Sequence, residues 1–195
     1  MSPLPPVILA STSPYRRALL ERLGVAFAVE GPGVSEEHAR AEAPADRAVR
    51  LAASKAQAVA DRYPHAVVIG SDQVAAAEGT VLDKPGDPER ACAQLERLSG
   101  RCADFYTACS VLCHATGLSE AHLDTTRATF RRLSREEIER YVARERPLDC
   151  AGSFKSEALG ISLLERIESQ DPTGLIGLPL IWLAGALRRA GYRLP

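Results

Sequence analysis

Val7-Ile8-Leu9-Ala10 is a fully apolar run that passes through Ser11-Thr12-Ser13 straight into Pro14-Tyr15-Arg16-Arg17. This junction leaves little freedom: it reads as a buried strand with a helix beginning at its exit. Ser13 suits the N-cap, and Pro14 fits the first helical turn, where its missing N–H costs nothing. The helix start presents unpaired backbone N–H groups and a partial positive charge, the makings of an anion site. Arg16 and Arg17 add full charges, and the planar arginine fork matches phosphate oxygens. An ordinary capped helix with solvated arginines has the same pattern, so the junction alone leaves both readings open.

The 195 residues fit one domain over 1–195, with room for two lobes around a cleft. An apolar content of 46% supplies a core. The formal charge of -1 argues against broad binding to nucleic acid or a membrane surface, so an anionic ligand must meet a local basic cluster. Cys92, Cys102, Cys109, Cys113 and Cys150 form no C-x-x-C pair. Cys109 and Cys113 fall on one face of an expected strand, with no histidine at zinc-ligand spacing, and the thiols read as buried and reduced. No apolar run reaches membrane-span length, and Met1-Ser2-Pro3-Leu4-Pro5-Pro6 lacks a basic start and apolar stretch, so a cytoplasmic protein is expected.

The pattern predicts helices over 14–23, 44–62, 87–100 and from Ser134, where Glu137 completes a capping box, with a last helix over 178–191. Strands are expected over 25–29, 66–70 and near 161–164, with a hairpin over 103–131 turning at Thr116-Gly117. The stretches 31–37 and 149–156 read as loops. Strands alternate with helices early and a hairpin interrupts later, which indicates a mixed sheet in an α/β fold.

Asp72 follows the apolar strand 66–70, at the end where open α/β sheets place ligand groups. A carboxylate there serves as a general base or holds a hard cation, unless Ser71-Asp72 merely turns the chain. Glu36 lies in a glycine- and proline-rich loop that can bring a second carboxylate to the same cleft, or leave it solvated. Lys55 has Ala52 and Ala56 beside it facing inward, so its stem can pack while the ammonium reaches the cleft. Lys84 precedes the fixed backbone of Pro85; either lysine equally suits a surface. With Arg16, Arg17, Lys155 and the hydroxyls, these residues form the inventory of a metal-assisted phosphoryl enzyme. Neither a Walker A loop nor G-x-G-x-x-G occurs.

Leu9-Ala10-Ser11-Thr12-Ser13-Pro14-Tyr15-Arg16-Arg17, Val34-Ser35-Glu36, Leu51-Ala52-Ala53-Ser54-Lys55-Ala56, Ile69-Gly70-Ser71-Asp72-Gln73-Val74, Lys84-Pro85, Ser99-Gly100 and Gly177-Leu178-Pro179 follow one another along the chain. In that order they resemble the Maf family of nucleoside triphosphate pyrophosphatases nearly end to end. The resemblance implies a Maf/inosine-triphosphatase-like α/β fold: an elongated mixed sheet flanked by helices, with two lobes around a central cleft, often as a homodimer. It also implies cleavage of a nucleoside triphosphate to the monophosphate and pyrophosphate with a divalent metal cation, magnesium or manganese. On the matching positions, Asp72 is the proton acceptor and shares the metal site with Glu36. Ser11, Arg16, Lys55 and Lys84 contact the phosphates.

Gln73 stands where the dTTP- and UTP-cleaving members have threonine, and Cys150-Ala151-Gly152-Ser153-Phe154-Lys155-Ser156-Glu157 replaces their Lys-Ala-Gly pattern. Both features resemble the branch acting on 7-methyl-GTP, whose specificity positions match Tyr15, Gln73 and Glu157. N7-methylation makes guanine cationic, so the Tyr15 face gains a cation–π term of about 0.5–2 kcal/mol. Glu157 can accept from the guanine N1–H and exocyclic amine, a donor pair that thymine lacks. Two departures stand out: Tyr15 replaces a frequent tryptophan, and Ser35 replaces the aspartate of the Val-Asp-Glu motif. Lys155 is a candidate substitute for the charge lost at Cys150. The expectation is a pyrophosphatase that clears modified nucleotides, with 7-methyl-GTP as substrate. The rivals are the same chemistry on dTTP, UTP or CTP, and a non-catalytic nucleotide sensor regulating septum formation. RNA binding is disfavoured by the near-zero charge and by 5% aromatics.

Overall fold

The computed structural model describes residues 4–37 and 42–195; Met1, Ser2 and Pro3 of the N-terminal segment read above lie outside them. One mixed sheet contains β1 (Val7–Ala10), β2 (Phe27–Val29), β3 (Val67–Ala77), β4 (Thr80–Leu82), β5 (Cys102–Cys113), β6 (Leu118–Phe130) and β7 (Leu164–Glu168). The order is β2-β1-β3-β5-β6-β7, with β4 paired to β3. The helices are α1 (Pro14–Glu21), α2 (Pro44–Ala60), α3 (Pro88–Leu98), α4 (Arg135–Glu145) and α5 (Leu180–Arg189).

β1 lies parallel to both β2 and β3, and all four of its residues are buried, as an unbroken apolar run requires. The rest of the sheet is antiparallel. β5 and β6 form the expected long hairpin, and Gly117 takes the left-handed conformation (φ 71°) in its turn. Leu9, Leu20, Ile69, Leu183 and Leu187 belong to one apolar cluster, which joins α1 and α5 to the parallel strands. A second, around Leu95, Phe105, Phe130, Tyr141 and Phe154, joins α3 and α4 to the hairpin.

α2 presents Ala48, Ala52, Ala56 and Ala60 as a buried face of small residues. At Gly70 of β3 a Cβ would collide with the Ala52 carbonyl oxygen and lie 2.6 Å from the Ala56 nitrogen. Helix and strand therefore approach more closely than any other residue at position 70 permits. Lys55, in the middle of that contact, is carried to the sheet.

Two expectations need correction. The strand anticipated over 66–70 does not end before Asp72, because β3 continues to Ala77. Its parallel partner stops at the Ala10–Gly70 pair, but β5 goes on pairing it from Val68–Leu112 to Ala76–Asp104. Pairing with β5 and, over these three residues, with β4 overrides the weak strand propensity of Ala75-Ala76-Ala77. Near 161–164 the chain forms a 3₁₀ segment (Leu159–Leu163), and β7 begins only at Leu164. β7 is an edge strand bearing Glu165, Arg166 and Glu168, so it shows no clear apolar alternation.

The remaining boundaries differ by about a turn or less: α1 ends at Glu21, α2 at Ala60, and β2 starts at Phe27. Ser134 and Glu137 form the capping box at the start of α4. All five cysteines are free thiols; Cys109 and Cys113 are buried, whereas Cys102 is exposed. Among the described residues no helix is long and apolar enough to cross a membrane.

Candidate active site

A cleft of about 550 Å³ opens where β1 ends, a size suited to a nucleotide-sized ligand. Ser11, Tyr15, Arg16, Glu36, Lys55, Asp72, Gln73, Lys84 and Glu157 all line it. The opening junction has the capped form its sequence demands. Ser13 Oγ accepts from the Arg16 N–H at 3.4 Å, and buried Ser11 uses its Oγ to accept from the Ser13 N–H at 3.2 Å. Arg16 Nε donates to the Gly177 carbonyl at 2.9 Å, which fixes the guanidinium in the cleft wall. Burial pulls the Arg16 pKa down, and the charges of Asp72 and Glu36 oppose that shift. Arg17 does not join it: its side chain is 63% exposed and pairs with Glu21 one turn on, so its expected part in anion binding is withdrawn.

Asp72 lies two residues beyond the last parallel pair of β3, just where β1 no longer covers the strand. Successive side chains of a strand point to opposite faces. Ser71 and Gln73 accordingly meet the turn Gly174–Ile176 and Gly177, while Asp72 meets α2. Ser71 Oγ donates to the Gly177 carbonyl at 2.9 Å, and Thr107 Oγ1 donates to the Gly174 carbonyl at 2.8 Å. Gln73 Nε2 donates to the Gly174 and Leu175 carbonyls, both at 3.0 Å. The amide nitrogen of Gln73 is thus occupied by the scaffold.

Lys55 is the centre of the charged region. Only 5% exposed, it sets Nζ 2.6 Å from Asp72 Oδ1 and 2.5 Å from Glu36 Oε1. Asp72 is itself 6% exposed, so the two buried charges compensate one another. Glu36 is half exposed. Burial raises its pKa, but the Lys55 bond and the charges of Lys55, Lys84 and Arg16 outweigh that and hold it below the usual glutamate value. Lys84 is exposed on the cleft rim.

Among the described residues no three His, Cys, Asp or Glu side chains converge as a ready-made metal cage. Ser35 supplies no third carboxylate; its Oγ accepts from the Glu37 N–H at 3.3 Å. Yet Glu36 and Asp72 already converge on one cationic atom, and two carboxylates completed by phosphate oxygens and water are a common magnesium environment. The donor set fits a hard divalent cation bound together with a polyphosphate.

At another part of the cleft Tyr15 donates its hydroxyl to Asp149 Oδ2 at 3.2 Å, and Lys155 Nζ stands 5.9 Å from its ring centre. Burial, then Cys150 and Asp149, raise the Tyr15 pKa, so the phenol stays protonated. Cys150 lines the same wall, its thiol pushed up to about 12 by burial first and Asp149 next. Lys155 therefore brings its charge to Tyr15. Exposed Glu157 lies on the segment that follows.

Three contributors to the cleft escape a reading of the sequence. Arg47 donates to the Glu36 carbonyl at 3.2 Å and lies 3.6 Å from Asp83. The helical spacing Arg47-Leu51-Lys55 was a usable signal, since all three line the cleft. Asp149 and the turn Gly174–Ile176 had no such signal, because their partners are distant in the chain.

A family model described as Maf-like protein matches residues 6–190. A 7-methyl-GTP pyrophosphatase of Polaromonas sp. is 52% identical over 189 residues, covering 97% of this chain and 86% of that protein. Another so named, from Xanthomonas oryzae pv. oryzae, is 54% identical over 192 residues, covering 98% and 100%. Among solved structures, the Ham1 protein of Staphylococcus aureus aligns with a TM-score of 0.45 and 16% identity, covering 64% of this chain and 71% of that one. The end-to-end family match and the relatives at about half identity agree, and the chain belongs to the Maf family.

Proposed function

We propose that this chain is a nucleoside triphosphate pyrophosphatase that hydrolyses 7-methyl-GTP to 7-methyl-GMP and pyrophosphate. The observation that carries the reading is the buried Lys55 joined to both Asp72 and Glu36 in a cleft that also holds the capped start of α1. Relatives named 7-methyl-GTP pyrophosphatase across nearly the whole chain support the choice of substrate.

Ser11, the N–H groups of α1, Arg16, Lys55 and Lys84 bind the triphosphate, replacing its hydration with fixed donors and charges. Asp72 accepts a proton from water as the water oxygen bonds to the α-phosphorus. The bond from that phosphorus to the bridging oxygen breaks, and pyrophosphate leaves. Glu36 and Asp72 would hold a divalent cation, which when bound would supply further charge stabilisation to the phosphoryl oxygens. Because Lys55 is bonded to both carboxylates, it shifts its bonds toward phosphate oxygen when the triphosphate binds.

Tyr15 stacks on the cationic base, Glu157 accepts from its N1–H and amine, and Gln73 keeps the Gly174–Gly177 wall in place. A panel of 7-methyl-GTP, GTP, dTTP, UTP and CTP, read by pyrophosphate release, tests the substrate. The highest kcat/KM is expected for 7-methyl-GTP; a preference for dTTP, UTP or CTP overturns the assignment. Tight binding with no product after long incubation with magnesium or manganese favours a sensor instead.

A further inference from the structure

We propose that Asp149 and Lys155 form a charge pair that sets how strongly the cleft prefers a cationic purine over a neutral one. The inference rests on the substrate reading above and adds specificity residues to that site. Lys155 Nζ stands 5.9 Å from the centre of the Tyr15 ring, so the face that would attract a cationic base already faces an ammonium. That ammonium is tethered: its side chain is largely buried, and Nζ donates to the Glu145 carbonyl at 3.4 Å. A cationic base stacking on Tyr15 therefore meets a fixed charge of its own sign.

Asp149 offsets this charge. Its Oδ1 is 4.0 Å from Lys155 Nζ, and its Oδ2 accepts the Tyr15 hydroxyl at 3.2 Å. One carboxylate thus neutralises the ammonium and holds the stacking ring. Glu157, on the same segment, then remains as the net negative charge on this wall. Without the charge of Asp149 the ammonium cancels Glu157; without Lys155, two carboxylates stand unopposed. The uncharged guanine of GTP feels little of either change, and the triphosphate is common to both substrates.

The measurement is the ratio of kcat/KM for 7-methyl-GTP to that for GTP in three variants. Asp149→Asn keeps an oxygen to accept from Tyr15 and removes only the charge. It is expected to lower the ratio about two- to fivefold, the scale of a partly exposed charge pair. Lys155→Met keeps an apolar stem and is expected to raise the ratio by a similar factor. Tyr15→Phe loses the hydroxyl but keeps the ring, and should change the ratio less than either. Opposite movements distinguish a charge effect from general disruption, which would depress both substrates together. A wild-type preference for 7-methyl-GTP that both charge variants leave unchanged, or move in one direction, overturns this inference alone. A wild type with no such preference overturns the substrate reading and this inference with it.

Discussion

Lys55 shows what a buried charge costs and what it makes possible. Its ammonium is held by Asp72 and Glu36, and Asp72 has almost no contact with solvent. Lys55→Met removes the compensation and leaves the aspartate stranded, with an expected stability loss of about 3 kcal/mol. Chemical denaturation checks this, and a variant as stable as wild type contradicts the compensation. Asp72→Asn is the converse case, because the amide keeps an oxygen to accept from Lys55. Its folded state should persist while kcat falls by about 10²–10⁴-fold, the span typical of a lost general base. Single-turnover rates with parallel thermal melts separate the two effects, and near-wild-type turnover sinks the proton-acceptor role. Arg16, Glu36, Lys55 and Asp72 were legible because each sits in a short local motif, whereas Tyr15 entered only through the family resemblance. Asp149 was not legible, because a hydrogen bond between distant segments brings it to the cleft wall, but the helical spacing of Arg47 to Lys55 was enough to place Arg47 there.

At the scale of elements, the α2–β3 contact and the turn Gly174–Ile176 decide whether the site is assembled. Gly70→Ala puts a methyl group against the backbone of α2, and overpacking of this kind costs about 1–3 kcal/mol. The helix must move away and take Lys55 with it, so kcat should fall together with the melting temperature; an unaffected kcat contradicts the link. The turn is buttressed by Asp124 of β6, which sits so close to Gly174 that a Cβ there would strike its carboxylate. Burial raises the Asp124 pKa, and neighbouring Asp171 raises it further. The folded chain thus holds this proton more tightly than the unfolded chain does. The stability it contributes is full below the ordinary aspartate range and is lost as pH rises through the raised value. Asp124→Asn, a mimic of the protonated form, should melt above wild type at neutral pH and close to it near about pH 3. An equal gap at both pH values would show that the carboxyl charge is not the cause.

Across the whole molecule, the alternation of apolar strands and capped helices was enough to announce a mixed α/β sheet, and the hairpin β5–β6 declared itself by its turn. What the pattern did not contain was the second half of β3. Ala75-Ala76-Ala77 has no strand signature, and pairing with β5 on one side and β4 on the other extends it. That extension places Asp72 within a strand with its side chain fixed by the pleat, which is better suited to hold one carboxylate against α2 than a flexible loop would be. On the proposed mechanism Asp72 takes the proton of the water that attacks the α-phosphorus, while Arg16 and Lys55 hold the phosphates. The most direct test is hydrolysis of 7-methyl-GTP in ¹⁸O-labelled water with mass analysis of both products. Attack at the α-phosphorus puts the label in 7-methyl-GMP and leaves pyrophosphate unlabelled; label in pyrophosphate, or release of orthophosphate, contradicts it.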